Sequence, residues 1–430
     1  MAALETPVNL RELQRALYLR AKKEPNFRAY ALYDKVYRAD VLAHAYALAK
    51  ANKGAPGPDG VTFEEIETTG REALLEELRD ELKTKTYRPG PVRRVYIPKV
   101  SGGERPLGIP NIRDRVVQTA AKLLLEPLFE ADFDDDSFGF RPRRDAHQAL
   151  DAISEALGQG MYWVIDADVS AYFDTIPHDR LMKAVAERVA DGSTLALVKM
   201  FLEAPVVDER DGGRPRRNPQ GTPQGGVISP LLANVYLNLV DRNFRRHVQG
   251  GRLRGRLVRY ADDFVVLVPQ KPEKEMAWIE ALMGRLGLKL QATKTRVLDA
   301  REEDFAFLGH ALRWRYDRLY LDVSPKALGR IRDELRWRTR RTWVSLEQMV
   351  RELSGYIRGA RRYFRRVVRP RLRKLDYFVE QHMARWWARK HSRRQPAWSL
   401  VRGGALWSQH GLERWYIPRA LQPAGSRHAT

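Results

Sequence analysis

The chain has no cysteine, so no disulfide and no thiolate metal site can be built from it. Nine scattered histidines give neither an HExxH pattern nor a Cys/His spacing, which argues against zinc and against zinc-dependent endonuclease modules. No apolar run reaches 18 residues, and the first twenty residues lack a cationic stretch followed by an apolar one. The expectation is a chain that neither crosses a membrane nor is secreted, working in the cytoplasm. Internal repeats and low-complexity tracts are also missing. What is abundant is positive charge: 76 Lys and Arg against 54 Asp and Glu leave a net +22, and 43% apolar residues over 430 positions suffice for more than one core. A polyanion, nucleic acid before all others, is the natural partner.

The apolar periodicity predicts helices within residues 1–50, over 72–82, 114–129, 146–157 and 178–189, and a long amphipathic one after the Gly/Pro turn GTPQGG. GAPGPDG at 54–60 is a loop. VRRVYIPK and ERPLGIP flank Ser101-Gly102-Gly103 as a hairpin; with a loop of those three residues, Lys99 and Arg105 would face each other, an arrangement that calls for an anion between them. Strands are predicted over 162–168, 256–260 and 264–268. Strands interspersed with helices give an α+β fold. From residue 324 the pattern turns helical and basic, so the composition shift near 322 marks a domain boundary.

Two acidic patterns carry the chemistry. WVIDADVSAYFD sets Asp166 and Asp168 on one face at the end of an apolar strand, and RYADDFVVL sets Asp262 and Asp263 in a tight turn between two apolar strands. Carboxylates do not occupy such positions without partners. Hard divalent cations, Mg²⁺ above all, prefer oxygen ligands plus substrate phosphates, which points to two-metal nucleotidyl transfer with Asp262 as the principal ligand of its pair.

These motifs come in a recognisable order. IPKVSGGERPLGIPNIRDRVVQ, SFGFRP, the run from Asp168 to Phe173, GTPQGGVISPLLAN, YADD at 260–263 and FLGH at 307–310 resemble the motif series of bacterial group II intron reverse transcriptases, and LSGYIRGARRYFRR extends the likeness into the maturase region. The resemblance implies a right-hand polymerase fold: an N-terminal helical extension (1–50), fingers (51–150), palm with part of the fingers (151–321), helical thumb or maturase domain (322–372) and a basic nucleic-acid-binding region (373–430). It implies Asp168, Asp262 and Asp263 as the metal triad for two Mg²⁺ ions, with Mn²⁺ as a substitute. Lys99 and Arg105 match residues that hold the triphosphate. Gln224 matches the nucleotide pocket, and Lys294 matches a lysine that protonates departing pyrophosphate, although Gln291 stands where the family usually has Asn. Phe173, five residues beyond Asp168, should block a ribose 2′-hydroxyl.

Arg113, Arg115 and Arg141 are candidates for template phosphate contacts, with a salt bridge as the alternative. Arg358, Arg361, Arg362, Arg365 and Arg366 form a cluster suited to a duplex surface, and over half of the aromatics interleaved with these arginines should be thumb core. The partners implied are template and intron RNA, a DNA primer or target, and dNTPs. No cysteine-rich endonuclease pattern follows the maturase region, so second-strand cleavage is not expected of these residues. Two other readings share the same motifs: a domesticated enzyme of antiviral defence or CRISPR adaptation, and a splicing cofactor with a vestigial polymerase site.

Overall fold

The structure, a computed structural model, describes residues 4–98, 103–392, 395, 398–401 and 404–416. Ten strands are present among the described residues: β1 (Val92–Pro98), β2 (Glu104–Ile109), β3 (Trp163–Asp168), β4 (Val206–Asp208), β5 (Arg256–Tyr260), β6 (Asp263–Val268), β7 (Arg296–Asp299), β8 (Phe305–Phe307), β9 (His310–Arg315) and β10 (Arg318–Val323). They form three sheets, ordered β2-β1-β4, β5-β6-β3-β7 and β10-β9-β8. The α+β expectation is met. No described helix is long and apolar enough to cross a membrane.

Residues 1–298 make one compact unit. Its four-stranded sheet is built around β6, whose residues 264–268 are all buried because paired strands flank it and neither face meets water. The helix Ile112–Glu130 runs through the core and is buried on most sides, Val116, Val117, Ala120, Leu124 and Leu128 among the buried positions. The helix Ala146–Gly158 starts with a capping box in which Asp145 and Gln148 satisfy each other's backbone amides. Ser229–Gln249 begins with Pro230, whose fixed φ suits a first helical turn, and buries Leu231, Leu232, Val235, Tyr236, Val240 and Phe244.

Residues 299–430 form the second unit, with its own core from Val323 to Trp415. The division falls at 298/299 rather than near 322. Composition marked where the basic helices begin, but the sheet β8–β10 lies on the C-terminal side of the division. The expected border at 372 is also not a break, because it lies inside the helix Arg369–Lys390, and Leu372, Leu375, Leu406 and Trp415 share one core. Among the interleaved aromatics, Tyr356, Phe364, Trp386 and Trp387 pack into that core, whereas Trp337, Trp343 and Tyr363 are exposed.

Candidate active site

The antiparallel register of β3 and β6 sets Asp168 directly across from Asp263, and that of β5 and β6 pairs Tyr260 with Asp263. Ala261 and Asp262 are therefore the whole of a two-residue turn. Ala261 takes up the left-handed conformation it requires, with φ 57°. Residues opposite in an antiparallel pair share a face, so Asp263 joins Asp168 and, two residues back, Asp166. Like charges so placed repel. Burial, first, and the neighbouring Asp168 push the Asp262 carboxyl above its ordinary range. Burial followed by Asp262, Asp168 and Asp166 raises Asp263 to about 6, even though that residue keeps solvent access at the lip of the sheet.

Cations offset part of this charge. Lys294 Nζ lies 3.2 Å from Asp168 Oδ2, and Arg296 Nε lies 3.3 Å from Asp166 Oδ2. The segment carrying Lys294 is fixed to the end of β3 by the Gln291 amide, which donates to the Asp168 carbonyl at 2.8 Å. Arg105, exposed on β2, acts on Asp262 through space and draws its carboxyl back down.

Phe173 follows β3 on the short helix Tyr172–Thr175. Its ring meets Phe140 edge-on at 6.4 Å and Tyr172 at 5.5 Å. With Gln224, Pro223, Asp174, Arg94 and Pro106 it lines a cavity of about 290 Å³. Gln224 Nε2 donates to Asp174 Oδ2 at 3.2 Å. Gly225 has φ 110° and no room for a side chain, since a Cβ would lie 2.4 Å from the Gly108 carbonyl oxygen. The GTPQGG turn is thereby pressed against β2.

Several sequence expectations are corrected. In the hairpin, Arg105 pairs with Ile97 and Glu104 with Pro98, so Ile97 and not Lys99 stands opposite Arg105. Lys99 itself lies outside the described residues. Arg115 is buried; it donates to the Pro110 carbonyl at 2.9 Å and to that of Ala55, tying down the GAPGPDG loop. Arg141 is also buried, forked onto Glu130 and bonded to the carbonyls of Asp134 and Ser137. Arg113 is engaged by Glu81 at 2.5 Å. For Arg115 and Arg141, both buried, the structural alternative is the one the fold adopts, while Arg113 is paired with Glu81 and keeps part of its side chain exposed. Arg361 is likewise taken up, by Glu413 and the Arg414 carbonyl, and Arg358 also pairs with Glu413, at 3.6 Å; Arg358, Arg362, Arg365 and Arg366 are exposed.

Arg141 gives a test of this assignment. Arg141→Ala strips the partner from Glu130 in a largely buried pair and should cost on the order of 3 kcal/mol of stability. Denaturant titration measures it, and an unchanged midpoint would contradict the structural role.

Beneath the Ala261-Asp262 turn lies a polar network that the sequence reading passed over. Arg259 forks onto Asp241 and also bonds Asn234 and the Ala261 carbonyl, and Asn234 bonds the Gly139 carbonyl. The signal was there: an arginine inside the apolar strand RLVRY has to be buried and paired.

Residues 97–312 match the reverse transcriptase (RNA-dependent DNA polymerase) family, and residues 328–404 match the group II intron, maturase-specific domain. The chain belongs to the group II intron reverse transcriptases. It is 38% identical to Protein YkfC of Escherichia coli K12 over 70% of this chain and 87% of that one. It is 36% identical to the group II intron-encoded protein LtrA of Lactococcus lactis over 49% of this chain but only 34% of LtrA's length. A structure of telomerase from Candida albicans with a TWJ fragment of telomeric RNA aligns at TM-score 0.43 and 11% identity, over 77% of this chain and 64% of that one. As a member of this family the chain is an RNA-directed DNA polymerase with a maturase domain. Polymerases of the family use divalent metal ions. Intron-encoded relatives favour the intron reading over a defence role.

The donor set suits such an ion. Asp166, Asp168, Asp262 and Asp263 supply only oxygens, and their mutual repulsion is the deficit that a hard cation neutralises. Among the described residues no group of three or more His, Asp or Glu side chains is placed to hold a metal ion by itself. A metal held here would draw the rest of its shell from elsewhere, as substrate phosphates can supply.

Proposed function

We propose that this chain extends a DNA primer on an RNA template with dNTPs and two Mg²⁺ ions, Mn²⁺ serving as a substitute, and that Asp168, Asp262 and Asp263 are the residues that hold them. The observation that carries the reading is the register that sets Asp168 across from Asp263 beside the Asp262 turn, with Lys294 on Asp168. Bound there, the ions would lower the pKa of the primer 3′-hydroxyl and neutralise the triphosphate. Arg105, with Lys99, binds the triphosphate; Lys294 Nζ carries a proton that it can give to departing pyrophosphate. Phe173 and Gln224 border the sugar. The direct test is single-nucleotide extension with Asp168→Asn and Asp262→Asn, and parental rates in either variant would refute the assignment.

We also propose that the enzyme binds intron RNA for splicing and a DNA target for retromobility, working in the cytoplasm and on the nucleoid. The exposed arginines 358, 362, 365 and 366 support this reading. Neutralising a phosphate releases condensed counterions, so log affinity should fall linearly with log salt. Replacing Arg362 and Arg365 by Gln should lower the slope by about 1 for each phosphate that is no longer neutralised. Arg141→Ala should leave it unchanged in the folded fraction. Filter binding across a salt series reads both, and a double variant with the parental slope would reduce the cluster to solvated surface.

A further inference from the structure

Arg259 is 1% exposed, as is Asn234, and Asp241 is 2% exposed. A buried Arg–Asp pair is costly to desolvate, and well-packed apolar residues of similar size often serve stability as well or better. The pair therefore needs a reason beyond stability, and its geometry supplies one. Arg259 Nε lies 3.0 Å from both Asp241 carboxylate oxygens, and Nη2 lies 2.5 Å from Oδ2. That grip orients the guanidinium so that Nη1 donates to Asn234 Oδ1 at 2.9 Å and to the Ala261 carbonyl at 2.9 Å. Asn234 Nδ2 in turn donates to the Gly139 carbonyl at 2.8 Å. Gly139 lies flush under the turn, where a Cβ would come 2.3 Å from the Ala261 nitrogen. The backbone of Arg259 is itself pinned on both sides, its amide donating to the Asp136 carbonyl and its carbonyl accepting from the Phe138 amide.

Ala261 thus adopts a φ that a residue with a Cβ seldom takes, and holds it because its carbonyl is fixed from below and its amide side is walled by Gly139. The next residue is Asp262. We propose that Arg259, oriented by Asp241 and Asn234, is a positioning residue that sets the Ala261-Asp262 turn and with it the direction of the Asp262 carboxylate. The proposal rests on the reading that Asp262 holds a metal ion. Arg259 touches neither substrate nor metal; it acts through the turn. Only a guanidinium has donors at the angles needed to meet a carboxylate, an amide oxygen and a backbone carbonyl at once, so Lys is not an equivalent.

The test uses Asn234→Ala and Arg259→Lys in the full chain, with Asp262→Asn as the control. Asn234→Ala leaves the Arg259–Asp241 pair in place, and Arg259→Lys leaves the charge, so each variant removes the aim of the network while keeping its main ion pair. Three readouts are taken: kcat and KM for dNTP in single-nucleotide addition, Mn²⁺ affinity of the free protein by electron paramagnetic resonance, and amide hydrogen exchange. We expect kcat to fall about tenfold or more with KM within about twofold, the split that marks an interaction expressed in the transition state. Mn²⁺ affinity should drop several-fold, and exchange should accelerate at residues 260–263 while the other palm strands keep their protection. Parental kcat and Mn²⁺ affinity in either folded variant would overturn the proposal. So would uniform acceleration of exchange across the palm with every other change proportional to the unfolded fraction. Activity surviving in Asp262→Asn would instead remove the reading on which the proposal rests.

Discussion

Asp262→Asn should reduce primer extension by at least about 1,000-fold, equivalent to roughly 4 kcal/mol of lost transition-state stabilisation, while RNA affinity stays near the parental value. The substitution keeps the shape of the side chain and removes only its charge. Burial and Asp168 already penalise that charge in the free protein, so loss of function should not come with loss of fold. A companion measurement checks the electrostatics. The folded-state pKa of Asp263, about 6, is raised above its unfolded value near 4, so the native state holds this proton more tightly than the unfolded chain does. In chelator, this carboxyl's penalty on stability is absent below about pH 4 and grows as pH rises through about 6. Asp263→Asn should remove that component of the pH dependence, and identical pH–stability curves for parent and variant would contradict the crowding of carboxylates described here.

Phe173→Ala should incorporate ribonucleotides far more readily relative to deoxyribonucleotides. Phe173 lines the cavity together with Gln224 and Pro223, and its ring has no polar atom to receive a 2′-hydroxyl. A ribonucleotide there meets both a clash and an uncompensated loss of hydration. Together these are worth about 1.4–2.8 kcal/mol, a ten- to hundredfold change in the ratio of kcat/KM values. Phe173 also packs against Phe140 and Tyr172, so truncation carries a stability cost of its own. The ratio is insensitive to that cost, because both substrates are read on the same folded enzyme. Phe173→Val, which keeps part of the volume, should fall between parent and Ala. A ratio that stays at the parental value in folded Phe173→Ala would leave the ring a packing residue only.

Much of this site was legible in the residues because the relevant signals are local. A period of two along WVIDAD and a pair of acids between RLVRY and FVVLV suffice to put carboxylates at strand ends, and β3, β5 and β6 run within a residue of the predicted bounds. Pairing is not local. Nothing in ERPLGIP says that Arg105 will sit across from Ile97, since one loop residue more or less shifts every partner along the hairpin. Burial is the other gap. Arg115 and Arg141 read as cationic in a cationic chain, and only the fold reveals that carbonyls and Glu130 consume their donors. The Arg259–Asp241 pair joins a strand to a helix that precedes it, so neither residue carries a mark of the other. The compact unit ends at 298, ahead of β8–β10, whereas the composition shift near 322 marks where the basic helices begin.

Asp168, Asp262 and Asp263 are expected to make this chain a metal-dependent, RNA-templated DNA polymerase. Rapid-quench addition of one dNTP to a DNA primer annealed to RNA, with the parent titrated with Mg²⁺, tests it most directly. The expected result is addition of the templated nucleotide alone, at a rate that rises from zero with Mg²⁺ and is lost in Asp262→Asn. Addition that proceeds in chelator, that ignores the template base, or that survives in Asp262→Asn would contradict it.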